Sequence, residues 1–357
     1  MSAFLGRIVA CEAITSLGES LAETALLWRA GLHNVAKSRF VDARGERIAM
    51  CAAPALPSSL LGPPRLVALA AHALHRLHAA LGASHSAAQH VQLLLALPER
   101  FAQADGEHGL DAAGRALVDA LRARLPKSWQ HADISAFPFG RAAGVLALQR
   151  ASALVERGTL VICGGVDSQH DWAVLEALLS ADRLLGPENV DGVRPGEAAA
   201  FFVLGAPARD DSTLNVVALG LGREPHPVGS PTQSLAHGLS QALRTAVAPL
   251  RRAQRRCNHW MLDNTHETYA TQALQNVITR FGDVLGLRTV LHTPLKDLGD
   301  AGAATIPLLA ALAAQAWRLG YADDDTMILT ASSDGGARGA LLLAGHRQDA
   351  GERALAA

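Results

Sequence analysis

Residues 158–204 read GTLVICGGVDSQHDWAVLEALLSADRLLGPENVDGVRPGEAAAFFVL, and this stretch decides the fold class. TLVIC is a continuous apolar run with β-branched residues, ending at Gly164 and Gly165, so it reads as a strand buried on both faces that runs into a glycine turn. Residues 140–158, GRAAGVLALQRASALVERG, precede it with helical spacing, and Gly158 stands where a helix would stop. After GEAAAFFVLGA, residues 207–213 (PARDDST) are polar and turn-rich.

The same alternation extends outward in both directions. Toward the N-terminus, residues 109–125 form a helical pattern capped by Asp111, residues 90–99 (HVQLLLALPE) a buried strand stopped at Pro98, and residues 64–81 another helix. Residues 6–18 (GRIVACEAITSLG) read as a strand and turn, and residues 20–32 as an amphipathic helix; the polar stretch SRFVDARGER, residues 38–47, intervenes. Toward the C-terminus, NVVALGLGRE restarts the strand pattern and residues 234–250 are helical. Strand (259–264), helix (269–282), strand (288–294), helix (303–320) and two closing strands (326–332 and 337–344) follow. Apolar strands alternating with helices argue an α/β protein whose sheet is covered on both faces. The similar element order on either side of Ala208 suggests two related halves, 1–208 and a shorter 209–357.

Composition narrows the function classes. In 357 residues, 32 Lys+Arg balance 33 Asp+Glu for a net charge of -1, so nothing draws the whole molecule to nucleic acid or anionic lipid. No apolar run approaches the roughly 20 residues of a membrane span. The opening MSAFLGRIVACEAITSLGES lacks the basic, apolar and small-residue regions of a secretory signal, so a cytoplasmic location is expected. Cys11, Cys51, Cys163 and Cys257 show no CxxC spacing and read as reduced, mostly buried thiols. His72, His75 and His78 would lie along one side of a helix, but no carboxylate or thiolate stands at ligand spacing, and neither a metal nor a cofactor is expected.

One family matches these pieces in order. The β-ketoacyl-acyl-carrier-protein synthases, or ketosynthases, have a helix leading to a strand that ends in GGV or GGA. A DG-x-x-x-GE-x-A segment follows. Gly164, Gly165, Val166 and Asp167 resemble the first part, and Asp191, Gly192, Pro195, Gly196, Glu197 and Ala199, about 27 residues on, resemble the second. ACEAITSLGES resembles the family's start, GREPHPVGSP the entry to its second half, and TASSDGGARGALLL its glycine-rich final hairpin. The resemblance implies a thiolase-like fold, two related α/β halves in αβαβα layers. Gly164, Gly165, Gly196, Gly335 and Gly336 would be turns in the site walls, and Glu197 a structural carboxylate.

The resemblance also locates three catalytic positions. The family's cysteine nucleophile stands three residues before the glycine that Gly144 matches, which puts Arg141 in its place; Phe139, Gly140, Ala142 and Ala143 are the neighbours, and Ser135 is on the preceding strand. A guanidinium cannot carry an acyl chain. The first histidine position, in a motif like AHGTGT, corresponds to LDNTHETYA and holds Asn264, with His266 two residues on. The second belongs to K-x-x-x-GH and corresponds to LKDLGDAGAA, where Lys296 is kept and Asp300 replaces the histidine, a carboxylate where an oxyanion would need a donor. An arginine beside a helix N-terminus opposes the helix dipole unless an anion is close, and because the resemblance implies that the two family positions face each other across the site, Arg141 is expected to pair with Asp300.

Three readings follow. In the first, the chain is a condensation-inactive partner subunit resembling a chain length factor, in fatty acid or polyketide biosynthesis. It would form a homodimer or a heterodimer with an active ketosynthase and work with an acyl carrier protein. In the second, it is an acyltransferase or decarboxylase with a site rebuilt around Asn264, His266, Lys296 or Asp300. In the third, it holds an organic acid on Arg141 without chemistry.

Overall fold

The computed structural model describes residues 5–86, 90–104, 109–155, 159–206, 214–322 and 324–345. Strand β1 (Gly6–Ile14) leads to helix α1 (Leu21–Arg29), whose Ser20 cap accepts from the Glu23 amide. The polar stretch read above as a connection is a hairpin instead, β2 (Ala36–Val41) and β3 (Arg47–Met50), paired antiparallel. Its alternation puts Phe40, Ile48 and Met50 inward, a period of two that three arginines and two acids within residues 38–47 conceal. Helix α2 (Gly62–Ser86), strand β4 (Val91–Ala96), helix α3 (Ala112–Arg122) and strand β5 (Asp133–Phe137) follow, and Asp111 caps α3 as expected. A 3-10 turn, Gly140–Ala142, opens helix α4 (Ala143–Val155); then come β6 (Leu160–Ser168), α5 (Trp172–Ser180) and β7 (Glu197–Gly205). Gly158 and Ala208 both lie outside the described residues.

The second series is β8 (Leu214–Arg223), α6 (His237–Ala246), α7 (Ala248–Arg252), β9 (Cys257–Leu262), α8 (Thr268–Arg280) and β10 (Leu285–His292). It ends with α9 (Leu295–Leu298), α10 (Thr305–Arg318), β11 (Thr326–Ser332) and β12 (Ala337–Gly345). No helix among the described residues is long and apolar enough to cross a membrane.

The two series build the same sheet. Side by side the first gives β5-β4-β6-β7-β1 and the second β10-β9-β11-β12-β8, one order repeated. The senses repeat too: β4 is parallel to both its neighbours and β7 antiparallel to both, as β9 and β12 are in their half. Gly6, Arg7 and Ile8 pair with Val216, Asn215 and Leu214 to join the halves into one ten-stranded sheet.

Five layers result. Helices α4 and α10 pack against strands of both halves and form the middle layer. Every residue from Thr305 to Ala313 is buried, as befits a helix that is apolar all round. Helices α2 and α3 cover the outer face of the first half-sheet, α6 and α8 that of the second. This αβαβα arrangement is the expected fold. Gly144 sets the separation of the middle helices, because a Cβ there would fall 2.8 Å from Ile306 Cβ.

Gly164 and Gly165 correct the reading of the decisive stretch. They lie inside β6, paired with Phe201 and Ala200, and β6 continues to Ser168. Their need is close approach rather than a turn. A Cβ at Gly164 would strike the Phe201 ring on the outer, α2 side, so Gly164 is not a wall of the site; one at Gly165 would lie 2.4 Å from the Ala303 carbonyl oxygen at the foot of α10.

Candidate functional site

The end of β5 delivers the chain to Gly140, whose φ of 65° turns it into the 3-10 turn ahead of α4 and presents Arg141 to the interior. Arg141 is buried, and its side chain meets Asp300 in a two-pronged ion pair: Nε donates to Oδ1 at 2.9 Å and Nη2 to Oδ2. Nη1 donates to Asp334 Oδ1 at 2.8 Å and to the Ser332 carbonyl at 3.4 Å. Asp300, 1% exposed, also accepts from Gln169 Nε2 at 2.7 Å and the Gly302 amide at 3.0 Å.

Gly196 and Gly299 hold Asp300 there. A Cβ at Gly196 would sit 2.7 Å from the Gly299 carbonyl carbon, so the loop carrying Asp300 lies directly against the entry to β7. The charge chain continues: Asp334 Oδ2 receives Arg183 Nη1 at 2.8 Å, and Arg183 Nε reaches Glu267 Oε1 at 2.7 Å. Asp300, Arg141, Asp334, Arg183 and Glu267 thus alternate in sign along a chain of ion pairs that ties the two halves together. Burial alone would raise the Asp300 and Asp334 carboxyls, but the Arg141 guanidinium outweighs it and holds both below the usual carboxylate range. Burial would likewise lower the Arg141 pKa, and the two carboxylates hold it above its ordinary value.

Arg141 borders two spaces. One is a cleft of about 400 Å³, walled by Glu99 and Arg100 on one side and by Ala173, Val174 and Leu178 of α5 on another. The Gly335 amide donates to the Glu99 carboxylate at 3.0 and 3.1 Å, and Gly336 turns the β11–β12 hairpin at φ 97°. The other is a small cavity of about 40 Å³, lined by Asn264, Asp263, Ser333 and Arg338 among others. Burial lifts the Asp263 carboxyl to about 6, with Arg141 pulling the other way.

The structure therefore brings Arg141, Asp300 and Asn264 into one site and leaves the other two candidates outside it. His266 lines neither space; burial and the nearby Arg194 and Lys296 charges depress its pKa. Lys296 is exposed on α9 and lines neither. Asp334, Arg183, Glu267 and Asp263 were not singled out from sequence.

All four thiols have raised pKa values. Burial pushes Cys51 to about 11 and Cys11 to about 12, and raises Cys163 and Cys257 as well. Cys163 sits in the core between β6 and the middle helices. The histidine stripe of α2 has separate partners: His72 meets the Glu19 carbonyl, His75 the Arg124 carbonyl and His78 the Ser128 hydroxyl. Among the described residues no cluster of three metal-binding side chains occurs.

Behind the site, Glu197 takes a second buried pair. Arg65 Nε and Nη2 each donate to one of its carboxylate oxygens at 2.6 Å, and the Ala53 amide and Ser168 hydroxyl complete the shell. Both side chains are at most 1% exposed.

No family model and no curated protein matches this chain. Solved structures do. A ketosynthase in complex with its chain length factor from Xenorhabdus doucetiae superposes with a TM-score of 0.71 at 15% identity, covering 96% of this chain and 98% of that one. A type II polyketide synthase acyl-carrier protein in complex with its ketosynthase gives 0.70 at 14% identity over 95% and 99%. A β-ketoacyl synthase from Burkholderia phymatum gives 0.69 at 16% over 97% and 100%. The chain has the thiolase-like fold of the ketosynthases over nearly its whole length.

Proposed function

We propose that this protein is a ketosynthase-like subunit that does not condense acyl chains and that works as the partner of an active ketosynthase, in the manner of a chain length factor. The observation that carries the reading is the Arg141–Asp300 pair. It fills the positions that the resemblance gives to the nucleophile and the second histidine, with a cation and an anion that satisfy each other. Acyl transfer requires a nucleophile that can be acylated and donors aimed at the developing oxyanion. Here burial raises the pKa of every cysteine thiol, and the guanidinium that faces the site spends its donors on Asp300, Asp334 and a carbonyl. The same saturation argues against an organic acid held on Arg141.

The partner role takes support from the neighbours, among them a ketosynthase bound to a chain length factor and another bound to an acyl carrier protein. Strand β5 ends the sheet of the first half with one edge unpaired among the described residues, an edge of the kind that a second subunit extends. The division into halves at about residue 208 belongs to the same reading. The test is co-purification with candidate ketosynthases and acyl carrier proteins. A stable heterodimer whose product length changes when this subunit is altered supports the proposal, and a homodimer that binds no ketosynthase contradicts it.

A further inference from the structure

Three arginines are buried among the described residues: Arg65, Arg141 and Arg338. The first two use the same edge of the guanidinium, Nε together with Nη2, to grip both oxygens of a carboxylate. Arg183 and Arg251 grip Glu267 and Asp283 in the same way. Arg338 differs. It is 3% exposed, yet no carboxylate lies within ion-pair distance of it among the described residues. Its Nη1 donates to the Ser333 and Ala337 carbonyls at 2.6 and 2.9 Å, and Nη2 to the Tyr269 hydroxyl at 2.8 Å, all neutral acceptors. That leaves the Nε–H, on the edge that takes a carboxylate elsewhere in this molecule, and one Nη2–H without a bond to any described residue.

Arg338 lines the small cavity with Asn264, Thr265 and Ser333. Asp263 and Glu99 act on Arg338 only through space, and a desolvated guanidinium whose hydrogen-bond partners are all neutral is stabilised further when an anion bonds to it directly. We propose that this cavity binds the carboxylate of a small organic acid, gripped side-on by the Nε/Nη2 edge of Arg338. At roughly 10–15 Å³ for each water-sized probe, about 40 Å³ admits an acetate-sized group and little more. This site needs no partner subunit, so its success or failure leaves the partner-subunit reading to its own test.

The charges around the cavity set its pH dependence. Asp263 shares the wall with Arg141 and Arg338, and Glu267 and Asp334 stand on the same lining, so an entering anion meets repulsion chiefly from Asp263. That carboxyl titrates at about 6, and acetate binding therefore strengthens as the pH falls through that value.

Calorimetric titration of the full chain with sodium acetate, against sodium chloride at matched ionic strength, tests the proposal. Saturable acetate binding near pH 5.5, at least threefold weaker near pH 7.5 and weakened at least tenfold by Arg338→Gln, is expected. Should Arg338→Gln not fold, Asp263→Asn keeps the guanidinium and is expected to bind acetate equally at both pH values. No saturable binding in the unsubstituted chain at the lower pH, equal binding by a folded Arg338→Gln, or a pH dependence that survives Asp263→Asn would each overturn it.

Discussion

The Arg65–Glu197 and Arg141–Asp300 pairs use the same geometry for different ends. Both are two-pronged, both bridge segments more than 130 residues apart, and in both an Nε/Nη2 edge grips a carboxylate. Arg65–Glu197 is closed: its other partners are an amide, a hydroxyl and two carbonyls, and both side chains are at most 1% exposed. Arg141–Asp300 stands between a cleft and a cavity, and continues through Asp334, Arg183 and Glu267. One is scaffold behind the site. The other stands at positions where the resemblance to ketosynthases puts catalytic groups.

The sharpest way to break this comparison is to cut each pair at its acid. Glu197→Gln strands Arg65 in the interior with no second carboxylate, and chemical denaturation should register a loss of about 3–5 kcal/mol. Asp300→Asn leaves Arg141 its Asp334, and the loss should be nearer 2 kcal/mol. Equal losses would mean that Asp334, with a half-exposed side chain, does not shield Arg141. Gly144→Ala, which touches neither pair but forces α4 from α10, should cost about 1–3 kcal/mol by overpacking.

Acid sharpens the difference in another way. Asp300 and Asp334 have carboxyls held below their ordinary range, so their contribution is complete above the unfolded value near pH 4 and is lost as the pH falls below it. Asp263 has the opposite sign: raised to about 6, it penalises the fold above that pH and the penalty fades toward pH 4. Asp263→Asn should therefore stabilise the chain by about 1–2 kcal/mol at pH 8 and by nothing near pH 4, as read by paired urea titrations. The smallest effect is on the thiols. Native protein at neutral pH should resist iodoacetamide at all of Cys51, Cys163 and Cys257, and labelling of any of them without unfolding would show a reactive group the structure does not provide.

The meeting of Arg141 with Asp300 was legible from sequence, because a cation placed at a helix entry needs an anion and the resemblance put one opposite. The strand-helix alternation was legible as well, since buried parallel strands are apolar throughout and their helices carry a clear period. Arg65 was not. It opens α2 after two prolines and looks like a solvated first-turn residue; its partner is 132 positions away, and local spacing carries no trace of that. The chain Asp334–Arg183–Glu267 was hidden for the same reason. The β2–β3 hairpin was masked by charge on its outer face, and Gly164 and Gly165 looked like a turn because a sequence cannot distinguish glycine needed for φ from glycine needed for room.

The central claim, that the Arg141–Asp300 pair stands in place of a condensing centre, is tested most directly by incubating the purified chain alone with an acyl-loaded and a malonyl-loaded acyl carrier protein and following the thioesters by intact-protein mass spectrometry. The account predicts no acylated form of this chain and no β-ketoacyl product, with product formed only when an active ketosynthase is added. A β-ketoacyl thioester made by this chain alone, or an acyl group covalently attached to it, would contradict the account.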